Sequence, residues 1–257
     1  MTRHIDFDAI ENFRDFGGYA TACGRGLVSG RLYRSGHHAH ATDADLAKLQ
    51  ALGLAAIVDL RQPNEREREP SRRWAGFDGL VVENDILSGQ DWVRELEGSP
   101  LTAESLVADT LRHYRANVFE PRLVDLFGRF LRSVGEADGA VVVHCAAGKD
   151  RTGLACAFLH QIAGVHHDDM IADYLMTNDE SRLERKMAQA GGFVERLVGR
   201  RPSDEALRAW VQVYPEFLDA AFDEIRGRCG SVDRYLEEVL GVDAALRERI
   251  HARMLGG

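Results

Sequence analysis

The sequence predicts an α/β fold, with a central, mostly parallel sheet flanked by helices and a helical C-terminal portion. Three observations predict it. Short apolar runs alternate with helix-compatible stretches through the first half of the chain, the pattern of a parallel layer joined by crossovers. The run Ala140 to His144 is continuously apolar up to its last residue, as a strand covered on both faces must be. Beyond Thr152 the apolar residues recur at helical spacing almost to the end. The chain has 257 residues, 45% of them hydrophobic, and so can bury a substantial core without disulfide or metal staples. No repeat or low-complexity linker divides it, so a single domain over 1–257 is expected, with the helical extension covering about 178–257.

Taken in order, Leu27 to Ser35 reads as a strand running into a loop, and Thr42 caps a helix that reaches about Leu52. Ala55 to Leu60 is a short buried strand, and the charged stretch Glu65 to Glu69 after it reads as a loop. Leu80 to Glu83 is a further strand. Ser99-Pro100 begins a helical stretch to about Asn117, and Pro121 opens another to about Val134, since proline suits the first helical turn. After the central strand, helices are expected over 152–163 and 167–176, then in several amphipathic pieces to Met254.

The net charge of −9 argues against a general nucleic-acid binder or a partner of acidic membranes, although a cleft can still carry a local positive field. No stretch of 18 apolar residues exists, so no integral membrane segment is expected. Met1-Thr2-Arg3-His4 leads into acidic residues without an apolar leader, which points to a cytoplasmic address and leaves export by another route open. Cys23, Cys145, Cys156 and Cys229 lack metal-ligand spacing and read as reduced thiols. No cofactor is implied, and nothing in the chain fixes an oligomeric state.

The chemistry concentrates in Val141-Val142-Val143-His144-Cys145-Ala146-Ala147-Gly148-Lys149-Asp150-Arg151-Thr152-Gly153. A short loop between a buried strand and a helix N-terminus can turn its amides inward, where the helix dipole also favours an anion. Arg151 adds a planar fork that matches two phosphate oxygens. Cys145, at the bottom of such a bowl, is placed to attack as the thiolate. The amides of Ala146, Ala147, Gly148, Lys149, Asp150 and Arg151 are the expected phosphate cradle, and Arg151 strengthens its grip as charge spreads in the transition state. Thr152 either hydrogen-bonds the sulfur or caps the helix. His144 is expected to order the loop, not to act as a base. A buried cysteine on an ordinary strand-to-helix turn is the bland alternative.

His144-Cys-Ala-Ala-Gly-Lys-Asp-Arg-Thr-Gly153 resembles the signature of the cysteine-dependent protein tyrosine and dual-specificity phosphatases. Gly148-Lys149-Asp150-Arg151 is similar to the bacterial branch typified by the mycobacterial tyrosine phosphatase B. Asn12-Phe13-Arg14-Asp15, Arg31-Leu32-Tyr33-Arg34-Ser35, Asp59-Leu60-Arg61, Ala172-Asp173-Tyr174-Leu175 and Asn178-Asp179 match that branch too, and the match is weakest between about Ser88 and Asn117. The resemblance implies hydrolysis of phosphotyrosine through a cysteinyl-phosphate intermediate, with phosphoserine/threonine or phosphoinositide esters as further candidate substrates. It implies no metal.

Three carboxyl groups compete for the role of proton donor. Asp85 follows the Leu80 strand where the family carries a mobile acid loop, though the prolines of the bacterial branch are missing there; Asp150 lies in the cradle itself; Asp91 is a third option. Lys149, one of only three lysines, offers a point charge for a second anionic group, as in the phosphoinositide phosphatases related to tensin, or is simply an exposed lysine. Asp59 and Arg61 are expected to brace the loop. Arg14, Asp15 and Arg34 are read either as lining the same wall or as surface ion pairs. His37-His38-Ala39-His40 lacks a carboxylate or thiol at fixed spacing and reads as a loop on the site's rim. Asp168 or Asp169 is read as the cap of the helix that follows His166-His167. Cys156 is either packing or a partner for a disulfide with Cys145. Trp92 with Leu96 and Leu101 reads as core, or as an apolar lid. A sulfurtransferase, an arsenate reductase or a phosphopeptide-binding pseudophosphatase would share the anion loop. The first usually lacks the Gly148-to-Gly153 ending, the second needs a resolving cysteine for which only Cys156 is a candidate, and intact Cys145 and Arg151 speak against the third.

Overall fold

The computed structural model describes residues 3–89 and 92–256, with Trp92 and Val93 described by their backbone alone. In chain order the elements are β1 (Arg14–Asp15), β2 (Gly26–Leu27), β3 (Leu32–Ser35), α1 (Asp43–Ala51), β4 (Leu54–Asp59), α2 (Pro63–Arg68), β5 (Leu80–Val82), α3 (Trp92–Gly98), α4 (Ala103–Asn117), α5 (Pro121–Glu136), β6 (Ala140–His144), α6 (Asp150–Ala163) and α7 (His167–Leu175). A single turn of 3₁₀ helix (Met176–Asn178) then leads to α8 (Glu180–Val198), α9 (Asp204–Val211), α10 (Pro215–Cys229), α11 (Val232–Glu238), α12 (Ala244–Met254) and β7 (Leu255–Gly256).

The valine run of β6 lies at the centre of a five-stranded sheet ordered β1-β3-β6-β4-β5, parallel except for β1, which is antiparallel to β3. Its side chains alternate between two cores, as the period of a strand requires. Val141 and Val143, with Leu32 and Val58 from neighbouring strands, enter the larger core, which α4, α5, α6 and α10 to α12 complete. Val142 turns the other way, with Tyr33 and Ile57, onto Leu46 and Leu49 of α1 and onto Phe13. A third, smaller cluster joins Leu96 of α3, Leu101 and Leu106 to Val194 of α8 and Ala206 of α9. Leu96 and Leu101 are therefore buried against the helices beyond α7. The Trp92 side chain belongs to the part of that reading that lies outside the described residues.

Several boundaries differ from the expectation, each for a local reason. The charged stretch after β4 is helix α2, not loop: Pro63 sits in its first turn, and the Glu65 carboxylate reaches back to accept the Gln62 backbone amide at 2.7 Å. The helix expected from Ser99 starts at Ala103, because Thr102 and Ser105 form the capping box. The helix after the cysteine starts at Asp150, so Lys149 is its N-cap residue and Thr152 lies inside the first turn. His166 holds the N-cap of α7, while Asp168 and Asp169 sit in the first turn as charges favourable to the dipole. Strands β1, β2 and β7 are too short to show a period in sequence. The pairing of β7 with β2 returns the end of α12 to the N-terminal region.

Phe158 of α6 sits where the larger core is knitted to the C-terminal helices, with ring centroids 5.3 Å from Phe127, 6.1 Å from Phe222 and 5.5 Å from Tyr235. Phe158→Ala is expected to cost roughly 3–5 kcal/mol of stability. Urea denaturation followed by circular dichroism checks this, and a loss below about 1 kcal/mol would show that the core closes over the gap.

Candidate active site

Ser35, His144 and Asp59 lie level with one another at the carboxyl ends of β3, β6 and β4, the edge at which open α/β sheets bind ligands. Cys145 follows directly and is 3% exposed. The next three carbonyls are drawn away from the loop. The His37 amide donates to the Ala146 carbonyl at 3.1 Å, and Arg182 Nη2 donates to that of Ala147 at 3.3 Å. Asn12 Nδ2 and Arg34 Nη2 donate to the Gly148 carbonyl at 2.8 and 3.1 Å. A trans peptide sets its N–H opposite its C=O, so the amides of Ala147, Gly148 and Lys149 turn into the bowl. Gly148 has φ +64°, and a Cβ there would stand 2.4 Å from the Ser35 carbonyl carbon and oxygen. Only glycine fits.

Behind this loop lies a buried charge cluster. Arg14 and Arg34 are fully buried and share Asp173, which accepts Arg14 Nε at 3.4 Å and Arg34 Nη1 at 2.8 Å. Arg14 Nη1 also donates to Asn12 Oδ1 at 2.6 Å, which aims the Asn12 amide nitrogen at Gly148. Burial would raise the Asp173 carboxyl, but the two guanidiniums hold it down at about 2. Both arginines are thus interior supports of the loop and not surface pairs. Asp15 does not join them: its carboxylate accepts the amides of Gly17 and Gly30 instead.

Arg151 lies in the first turn of α6 and is gripped by Glu65 of α2, with Nη1 and Nη2 donating at 2.6 and 2.9 Å. Burial works to raise the Glu65 carboxyl, yet the facing Arg151 charge holds it at about 2. The Lys149 ammonium is buried and donates to the carbonyls of Trp210 and Gln212 at 2.6 and 3.3 Å, so it closes the C-terminal end of α9. Burial lowers its proton affinity. Asp150 Oδ1 accepts the Tyr114 hydroxyl at 3.0 Å and lies 3.4 Å from the Lys149 ammonium.

Two clefts open onto these groups. One of about 260 Å³ is lined by Arg151, Asp150, Lys149, Arg122, Tyr114 and Trp210 among others. The other, of about 400 Å³, reaches Ala146, Ala147, Arg182, Lys186, Phe193 and Asp150. Asp85 lines neither: its carboxylate is 90% exposed and pairs with Arg66 at 2.6 Å. Asp91 lies outside the described residues. The Thr152 hydroxyl is buried in the first turn of α6 without a hydrogen-bond partner among the described residues. The His144 ring stacks on His38 at 4.6 Å, 3.7 Å from Asp59, and burial lowers its proton affinity. Arg61 is held bidentately by Asp59, and the adjoining Leu60 amide donates to the His144 carbonyl at 2.8 Å, so this pair braces the strand ends and not the loop carbonyls. Cys156 is buried in α6, and burial pushes its thiol up to about 12.

Glu65, Arg122, Tyr114 and Arg182 escaped the sequence reading. Glu65 sits 86 residues from Arg151 in sequence. The one available signal for it was Pro63 two positions before an acidic residue, a helix start that would have aimed α2 at the strand ends.

The tyrosine phosphatase family matches residues 5–256 of the chain. A protein of Cupriavidus necator, named provisionally as a tyrosine-protein phosphatase, is 34% identical over 247 residues, covering 95% of this chain and 86% of the relative. The triple specificity protein phosphatase PtpB of Mycobacterium tuberculosis is 29% identical over 283 residues, covering 95% and 96%. A tyrosine-protein phosphatase of Nostoc commune is 30% identical over 138 residues, covering 53% of this chain and 44% of that one. The chain belongs to the tyrosine phosphatase family and is a phosphatase.

Asp173 sits below the unfolded aspartate value of about 3.9, so its contribution to stability is complete above about pH 4 and is lost as pH falls toward 2. Asp173→Asn leaves two buried guanidiniums without their counter-charge and should cost about 3–5 kcal/mol at neutral pH. Denaturant titrations at pH 7 and pH 3 check this. A neutral-pH loss under about 1 kcal/mol would show that Asp173 does not hold the cluster together.

Proposed function

We propose that the protein hydrolyses phosphotyrosine in phosphorylated proteins, with Cys145 as nucleophile, Arg151 and the loop amides as the phosphate clamp, and Asp150 as proton donor. The single observation that carries the reading is a cysteine at the foot of a loop whose three successive carbonyls are all bonded outward. In the first step the Cys145 thiolate forms an S–P bond as the ester P–O bond breaks, and the Asp150 carboxyl gives its proton to the leaving oxygen. The Asp150 carboxylate then takes a proton from water as that water attacks phosphorus, which releases phosphate and restores the thiolate. The Thr152 hydroxyl, without a partner among the described residues, is the donor left for the sulfur in this scheme.

Asp150 is favoured over Asp85 because it borders both clefts, whereas Asp85 is engaged by Arg66 at the surface. Lys149 is spent on the carbonyls of α9, which argues against a dedicated anchor for a second phosphate. Arg182 and Lys186 in the larger cleft keep phosphoserine, phosphothreonine and phosphoinositide esters within the proposal, and the name of the mycobacterial relative adds weight to testing them. No described helix is long and apolar enough to cross a membrane. A cytoplasmic address, where four free thiols stay reduced, is part of the proposal.

Purified protein assayed with chelator on phosphotyrosine, phosphothreonine and phosphoinositide substrates tests the activity. Cys145→Ser should remove aryl phosphate turnover by at least about a thousandfold while retaining ligand binding, and near-native turnover would refute the nucleophile. Asp150→Asn should lower turnover about 10²–10⁴-fold, with the loss shrinking for an activated leaving group; a larger loss in Asp85→Asn would reverse the assignment. Lys149→Ala should depress phosphotyrosine and phosphoinositide turnover by equal factors, because it loosens α9 for both. A loss confined to the lipid would restore a direct anion-binding role.

A further inference from the structure

We propose that His37, His40 and Glu69 form a binding site for a divalent transition-metal ion, zinc by preference, on the rim of the phosphate loop. The sequence set the histidine run aside for want of a carboxylate. The fold supplies one from the end of α2. His40 Nε2 lies 3.2 Å from Glu69 Oε1, His37 Nε2 lies 4.0 Å from Glu69 Oε2, and the three donor groups all fall within 4.8 Å of one another. Tetrahedral zinc ligands at about 2.0–2.1 Å stand roughly 3.3 Å apart, so side-chain movements on the order of 1 Å complete the set. Two imidazoles and a carboxylate suit zinc and leave a fourth position open.

The surroundings fit a binding site. The Glu69 backbone is fixed, its carbonyl accepting Arg61 Nη1 at 2.7 Å and its amide donating to the Glu65 carbonyl at 3.1 Å. The third histidine of the run is excluded, since His38 is wholly buried and engaged with the Ser35 hydroxyl at 3.0 Å. His37 Nδ1 accepts the Ala39 amide at 3.3 Å, so ligation through Nε2 moves the ring proton to Nδ1 and gives up that long contact. A cleft of about 250 Å³ adjoins the three side chains and is bordered by Glu11, Gly36, Ala146 and Lys186. Lys186 is paired with Glu11 at 2.7 Å, so its charge is balanced beside an incoming cation.

The position gives the ion leverage over catalysis, an effect that rests on the phosphatase reading although the site itself does not. The amide of His37 holds the Ala146 carbonyl outward, and Glu69 caps the helix whose Glu65 grips Arg151. A bound ion therefore ties the first peptide of the cradle to the clasp on its arginine, and its open coordination position faces the cleft beside Ala146.

Zinc uptake is measured by isothermal titration on the full-length Cys145→Ser chain, in which the nucleophilic thiolate cannot compete for the metal. One zinc per chain is expected, weakened by at least about tenfold in His40→Ala and in Glu69→Gln, both checked for native circular dichroism. Equal affinity in parent and variants, or no uptake by the parent at millimolar zinc, overturns the site. In the chain with Cys145 intact, zinc should shift KM for aryl phosphate, and the shift should vanish in His40→Ala, whose turnover in chelator stays at the parent level. An identical zinc response in both chains overturns the coupling to the loop and assigns the effect to the cysteine.

Discussion

One carboxylate, Asp173, underlies the architecture of the site. It is the shared counter-charge of Arg14 and Arg34, in an interior where neither guanidinium has access to water. Those two arginines are not decoration around the loop: one orients Asn12, the other bonds the Gly148 carbonyl directly, and between them they decide which way a peptide faces. A buried ion cluster of this kind is weak evidence for net stability, because desolvation offsets much of the Coulomb gain. What it supplies is direction. Apolar replacements of the same volume would pack as well, but would leave the Gly148 carbonyl without its Arg34 donor.

The same logic extends outward from the loop. Three charged groups that border the clefts are restrained by partners on different elements: Arg151 by Glu65 of α2, Lys149 by the end of α9, Asp150 by Tyr114 of α4. Asn178 exchanges two hydrogen bonds with the backbone of Val213 at 2.8 Å, so the segment that receives Lys149 is itself anchored. The C-terminal helices are therefore coupled to the loop by polar contacts, and to α3 and α4 by the apolar cluster around Leu101 and Val194. Rigid side chains at the reacting centre reduce the reorganisation needed as charge develops.

Much of this was legible in the sequence because the signals were local. The valine run before Cys145, the proline of α5 and the threonine cap of α1 each specify their element within a few residues, and the strand-to-helix context of Cys145 follows from them. Residues 146–152 run consecutively from the loop into α6, so their neighbourhood is local too. What escaped was non-local. Glu65 was read as part of a charged loop, and only its place on helix α2, off the end of β4, brings it to Arg151. Lys149 was read as exposed or as an anion ligand, and its true partners are carbonyls of a helix about sixty residues away, for which composition and periodicity give no sign. Arg14 and Arg34 were read as wall residues or surface pairs, because a sequence does not show that Asp173 returns to lie between them. Asp85 was placed by family pattern, in a stretch that lacks that pattern's prolines, and the fold pairs its carboxylate with Arg66.

The tight fit at Gly148 restricts how this protein can diversify. With Ser35 pressed against its α-carbon, the floor of the bowl admits no added atoms, so a lineage seeking new substrates has little room to vary it. Novelty must come from the rims, where Arg68, Gln189, Phe193 and Trp210 line the larger cleft. Discrimination between esters would then evolve apart from the phosphoryl chemistry, with an unchanging centre served by a replaceable vestibule.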